Sequence, residues 1–72
     1  MPMIDTVATG KNIKDMATKH GMRAQDIQTV FGFGTPQTVF KWFRGATMPS
    51  IDNMVVLAKI FNATVDDILV VI

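Results

Sequence analysis

The sequence has no cysteine and one histidine, His20, so neither a disulfide nor a four-ligand zinc site of nitrogen and sulfur donors is expected to hold it together. Apolar runs are short. The longest, such as residues 68–72, fall far below the ~20 residues that cross a bilayer. The opening Met1-Pro2-Met3-Ile4-Asp5 lacks the basic and apolar regions of a secretory signal, which points to a cytoplasmic protein. Asn62-Ala63-Thr64 accordingly reads as a helix boundary rather than a glycosylation site. Ser50 is the only serine and sits where a helix cap belongs. A nucleophile needs a base and an orienting group beside it, and the chain offers no convincing set. Gly32-x-Gly34 is too short to cradle a phosphate in the manner of a dinucleotide fingerprint. No enzyme, cofactor or metal function is expected. Glutamate is absent too, and residues 27–51 contain no acid at all, only Lys41 and Arg44, so this stretch is locally positive.

Seventy-two residues make one small domain, 1–72, which excludes most enzymes. A chain of this length buries only about 60% of the surface exposed by its unfolded form, so its core must be used economically. Glycine and proline divide it into five segments with helical periodicity. Ile13, Met16, Ala17 and His20 recur at i, i+3, i+4 and i+7, predicting a helix over residues 10–20 with Gly21 as a left-handed cap and residues 1–9 as an N-terminal arm. His20, in its last turn, suits the negative end of the helix dipole. Ala24, Ile27, Val30 and Phe31 form a second stripe that stops at Gly32. Thr35 then caps a third helix, with Pro36 at its first position and its end near Arg44. Ser50 starts a fourth, with Ile51, Met54, Leu57, Ala58 and Phe61 inward and Asn62 at its end. Thr64 caps a fifth, whose first turn carries Asp66 and Asp67. Met16 and Met54 fall on buried stripes, so the six methionines read mainly as core filling.

On a helical wheel the third helix places Val39, Trp42, Phe43 and Ala46 on one face, with Gln37, Lys41 and Arg44 within about 60° of one another on the other. Phe40 projects at the border, as a core-edge residue or an exposed aromatic. An amide and two cations on one helix face supply what reading base edges and binding phosphates in a major groove requires, although an ordinary solvated face has the same composition.

The order of elements resembles the five-helix, all-α DNA-binding domain of the lambda-repressor/Cro-like (Xre-type) helix-turn-helix family. Carrying the likeness are Asn12-Ile13-Lys14, Ile27, Phe31-Gly32, Thr38-Val39-x-Lys41-Trp42-x-x-Gly45, Met48-Pro49-Ser50-Ile51-Asp52-Asn53-Met54, Leu57-Ala58 and Phe61 through Leu69. The resemblance implies that the second and third helices form the helix-turn-helix, with the third in the major groove. By position, Thr35, Pro36 and Gln37 would face the groove with Phe40 and Lys41 one turn on, Arg44 would meet phosphate, and Thr47 would approach the backbone. Three departures stand out: Gln28 where the family has a small residue at the helix crossing, a turn lengthened by Gly34, and Ala24 in place of a phosphate-binding glutamine.

The resulting expectation is a cytoplasmic transcriptional regulator that binds duplex DNA as a homodimer. The alternative is the same scaffold used for protein–protein interaction, as an antitoxin-like or anti-repressor module, because a fold does not fix a function. Dimerisation is expected through the C-terminal segment. A stripe of Val65, Ile68, Leu69 and Ile72 turns inward there and leaves Val70 and Val71 over for a partner.

Overall fold

The computed structural model describes residues 2–72, which form five helices: α1 (Thr6–Lys19), α2 (Ala24–Phe31), α3 (Gln37–Arg44), α4 (Ile51–Ile60) and α5 (Val65–Ile68). Local chemistry explains most boundaries. Asp5 starts α1 by accepting from the Ala8 N–H at 3.0 Å, and Gly21, at φ 70°, ends it with the Met22 N–H donating back to the Ala17 carbonyl. Asp26 accepts from the Arg23 N–H at the start of α2, and Gly32 closes that helix in the left-handed conformation. Ser50 caps α4 through the Asn53 N–H. Thr64 and Asp67 exchange bonds reciprocally at the start of α5.

The first helix is one turn longer than its apolar periodicity predicts. Met1 lies outside the described residues, but the rest of the expected 1–9 arm is part of the folded unit: residues 6–9 are helical, and Ile4 forms an antiparallel bridge with Val71. The reason is distant. Thr9 is fully buried and its hydroxyl accepts from the Val70 N–H at 2.9 Å, while the Asp5 N–H donates to the Val70 carbonyl and the Ile72 N–H to Met3. Asn12 clamps the same segment by donating its side-chain amide to the Asp67 and Ile68 carbonyls, each at 2.9 Å. These bonds draw the chain into extended backbone at Leu69, so α5 is a single turn and Ile72 is 77% exposed rather than inward.

The core consists of Ile13 and Ala17 from α1, Ala24 and Ile27 from α2, Val39 and Trp42 from α3, Met54, Leu57 and Ala58 from α4, with Phe61 and Ile68. Ile51, expected inward, is 84% exposed: it is the first residue of α4 and its side chain falls outside the Met54, Leu57, Ala58 and Phe61 stripe. Ala46 is likewise exposed, because α3 ends at Gly45 and the chain turns away before reaching it. Asn62 adopts φ 52° just beyond the cap, which falls on Phe61.

Where α1 crosses α3, glycine is required on both sides. A Cβ on Gly10 would collide with the backbone carbonyl of Trp42 and lie 2.8 Å from the Gly45 nitrogen, and a Cβ on Gly45 would lie 2.6 Å from the Val7 Cα. The close approach ties α3 to the longest helix.

Candidate nucleic-acid interface

The turn between α2 and α3 determines how α3 is presented. Phe31 and Phe33 stack at 5.3 Å with an interplanar angle of 10°, and both meet the Trp42 ring edge-on, at 5.5 and 5.7 Å. Gln28 braces the same turn by donating its side-chain amide to the Phe33 carbonyl at 3.1 Å. Two of the departures seen in the sequence are therefore linked: the extra turn residue is accommodated by folding Phe33 back onto Trp42, and Gln28 supplies the hydrogen bond that holds it there. This aromatic cluster is not carried by helical periodicity, since Phe33 belongs to neither helix.

Trp42 and Val39 anchor the inner face of α3, and the opposite face is open. Gln37, Lys41 and Arg44 are all exposed on it, as the wheel predicts. Pro36 occupies the cap position of α3 rather than its first turn. Its carbonyl accepts from the Phe40 N–H at 3.0 Å, while the Thr35 hydroxyl accepts weakly from the Gln37 N–H at 3.4 Å. Thr35 is exposed, Pro36 half-buried, and Thr47 exposed in the loop after α3. Phe40 stands at 36% exposure, its ring 6.4 Å from that of Phe43 and nearly perpendicular to it. Of the two alternatives for Phe40, the exposed aromatic describes it better.

Next to this face runs a groove that the sequence did not reveal. Lys14 and Thr18 of α1, Arg23 and Gln25 at the start of α2, and Phe40, Phe43 and Arg44 of α3 line it. Helix order alone could not bring α1 to the flank of α3; the crossing at Gly10 does so. Of its three cations only Arg23 has an acidic neighbour among the described residues, Asp26 at 3.7 Å, and that pair is exposed. Lys14, Lys41 and Arg44 thus keep their charge available on one side of the molecule.

The remaining polar candidates are occupied structurally. The Nδ1 of His20 lies 2.9 Å from the Met16 carbonyl, as its donor, and the ring packs on Phe61 with centroids 5.6 Å apart. The Ser50 hydroxyl caps α4. Among the described residues there is no group of three or more side chains suited to hold a metal ion, and no helix is long and apolar enough to cross a membrane.

A model of the helix-turn-helix family matches residues 13–68. Among solved structures, the DNA-binding domain of BldD has a similar fold, with a TM-score of 0.74 over 90% of this chain and 93% of that one at 15% identity. The restriction-modification controller protein C.AhdI from Aeromonas hydrophila gives a TM-score of 0.77 over 89% of this chain and 96% of that one, at 20% identity. No curated protein matches the sequence.

Proposed function

Because the chain belongs to the lambda-repressor/Cro-like (Xre-type) helix-turn-helix family, we propose that it is a cytoplasmic, sequence-specific DNA-binding regulator of transcription that places α3 in the major groove. The observation that carries this reading is the division of α3 into a face locked by Val39 and Trp42 and a face offering Gln37, Lys41 and Arg44 to solvent. A rigid helix with a bidentate amide in its first turn and cations further along can read a base edge and neutralise phosphates without reorganising. In this account Thr35, Pro36 and Gln37 enter the groove first, Phe40 and Lys41 follow one turn on, and Arg44 and Thr47 meet the sugar-phosphate backbone. Lys14 and Arg23 extend the positive wall beside them. The protein acts by binding, without catalysis, and the two neighbouring folds are those of a DNA-binding domain and of a restriction-modification controller protein. Retarded migration of duplex DNA that weakens steeply with added salt would support the reading, whereas no retardation at low salt would refute it.

The regulator is proposed to act as a homodimer through its C-terminal segment. Met3, Ile4, Val71 and Ile72 expose apolar side chains on the terminal ribbon, and Ile51, Val55 and Val56 expose more on α4. Two copies related by a two-fold axis would present the same surface to each other and set the α3 helices one DNA turn apart, about 34 Å. The same apolar surface favours the second reading, in which the scaffold docks on another protein. Sedimentation of the purified chain at micromolar concentration separates the two, because only the first gives a dimer of the chain alone.

A further inference from the structure

Phe40 is the one large apolar side chain on the outward face of α3, and its surroundings explain why a ring is useful there. Gln37 lies one turn before it and Arg44 one turn after, so it sits among the groups offered to a base edge. Its other flank faces the groove that holds Lys14 and Arg23, the cations beside α3. The near-perpendicular contact with Phe43 braces the ring, and the residue stays 36% exposed. Phe40 thus stands between a base-reading amide and a phosphate-attracting wall.

A ring so placed, between the middle of α3's outward face and the wall beside it, can reach the C5 position of a pyrimidine when the helix occupies the major groove. On the major-groove edge of a base pair the exocyclic amino and carbonyl groups lie near the middle, purine N7 lies toward the purine strand, and C5 of the pyrimidine lies toward that base's own sugar-phosphate strand. Cytosine carries hydrogen at this position, and thymine carries a methyl group that apolar side chains recognise. From this juxtaposition we infer that Phe40 makes the protein selective for a pyrimidine bearing a 5-methyl group, either thymine or 5-methylcytosine, at one position of its site. The inference rests on the proposed function and specifies its chemistry: the amide and cations select by hydrogen bonds and charge, and the ring selects by burying a methyl group. Ring and methyl both lose water on contact, so the discrimination requires no hydrogen bond from the protein.

The test uses the full chain and a duplex selected by it from random sequence, with each thymine replaced in turn by deoxyuridine, which removes only the methyl group. At one position per half-site, affinity should fall about fourfold, the value of one buried methyl group. Rebuilding that position as a cytosine·guanine pair with and without the 5-methyl group separates the two sources: a response to cytosine methylation extends the selectivity to 5-methylcytosine, and its absence assigns it to thymine. Phe40→Ala should bind the thymine and deoxyuridine duplexes equally, and Phe40→Leu, which keeps an apolar side chain, should retain part of the preference. A selected duplex indifferent to the loss of every thymine methyl, and to 5-methylation of each of its cytosines, overturns the inference while leaving the proposed function standing. Undiminished methyl preference in a folded Phe40→Ala protein overturns the assignment to Phe40. Failure to select any duplex removes the proposed function and this inference with it.

Discussion

Replacing Gly10 by alanine adds one methyl group at the point where α1 rests on α3. In an ordinary helix the change would stabilise by about 0.5–1 kcal/mol, because alanine loses less conformational entropy than glycine. Here the new carbon would collide with the Trp42 carbonyl and lie 2.8 Å from the Gly45 nitrogen and 2.9 Å from the Phe43 carbonyl. All three are backbone atoms, so no side chain can swing aside and α1 must lift off α3. Overpacking of a tight site costs typically about 1–3 kcal/mol, and a backbone obstacle places Gly10→Ala at the upper end or beyond even after the helical gain. A domain of this length has only about 4–11 kcal/mol of stability in total. At about 4–8 °C per kcal/mol, a loss of ~3 kcal/mol lowers the melting temperature by roughly 12–24 °C. Thermal unfolding followed by circular dichroism measures it, with Gly34→Ala as the internal control, since nothing lies within 4 Å of a Cβ there. Gly34→Ala should melt within a few degrees of the parent. If Gly10→Ala melts at or above the parent temperature, the close crossing of α1 and α3 is not what positions α3.

Four further expectations follow from particular contacts. Trp42→Ala removes the ring against which Phe31 and Phe33 pack and should cost about 3–5 kcal/mol in urea unfolding; a cooperative transition near the parent midpoint would place Trp42 outside the core. Asn12→Ala deprives the Asp67 and Ile68 carbonyls of a donor, and a loss of about 1–3 kcal/mol, with faster amide exchange at Val70 and Ile72, is expected; unchanged exchange would show that the clamp does not hold the C-terminal segment. Gln37→Ala should cost about 1–3 kcal/mol on the preferred duplex and little on random DNA, whereas Arg44→Ala should weaken binding to all sequences alike and reduce the salt slope by about one phosphate contact; equal losses on both DNAs for both variants would refute the division of roles. Val70, expected to be left over for a partner, is half-buried, so the exposed pair carries the test: Val71→Asp combined with Ile72→Asp should convert a dimer to a monomer in sedimentation with helicity retained, and a parent that is monomeric both free and on DNA would rule out the C-terminal interface.

What could be read from the chain was what neighbouring residues determine. The stripes of α1, α2 and α4, apart from Val30 and Ile51, which stand at the stripe edges and are exposed, the glycine caps at Gly21 and Gly32, the Ser50 and Thr64 caps and the outward Gln37, Lys41 and Arg44 all depend on spacing within a few residues. The features not anticipated are non-local. The start of α1 is set as much by Thr9 holding Val70, 61 residues away, as by its Asp5 cap, and α5 is shortened by the same pairing. Phe33 reads as a turn residue until Trp42 is placed beneath it. The groove beside α3 needs Lys14 and Thr18 brought to Arg23 and Phe43, which only the glycine crossing arranges. The Asp5 signal was nonetheless present, an N-cap residue before Thr6-Val7-Ala8, but Thr and Val are weak helix formers and the apolar stripe is visible only from Ile13.

The central claim is that the exposed face of α3 reads a specific duplex sequence. Selection of binding sites from random duplex DNA by the purified chain, followed by affinity measurement on the recovered site and on its scrambled counterpart at fixed salt, tests it most directly. The account predicts a two-fold symmetric site with half-site centres about 10 base pairs apart, bound at least ~10³-fold more tightly than the scrambled sequence. A recovered pool indistinguishable from the input, or equal affinity for both duplexes, would contradict it.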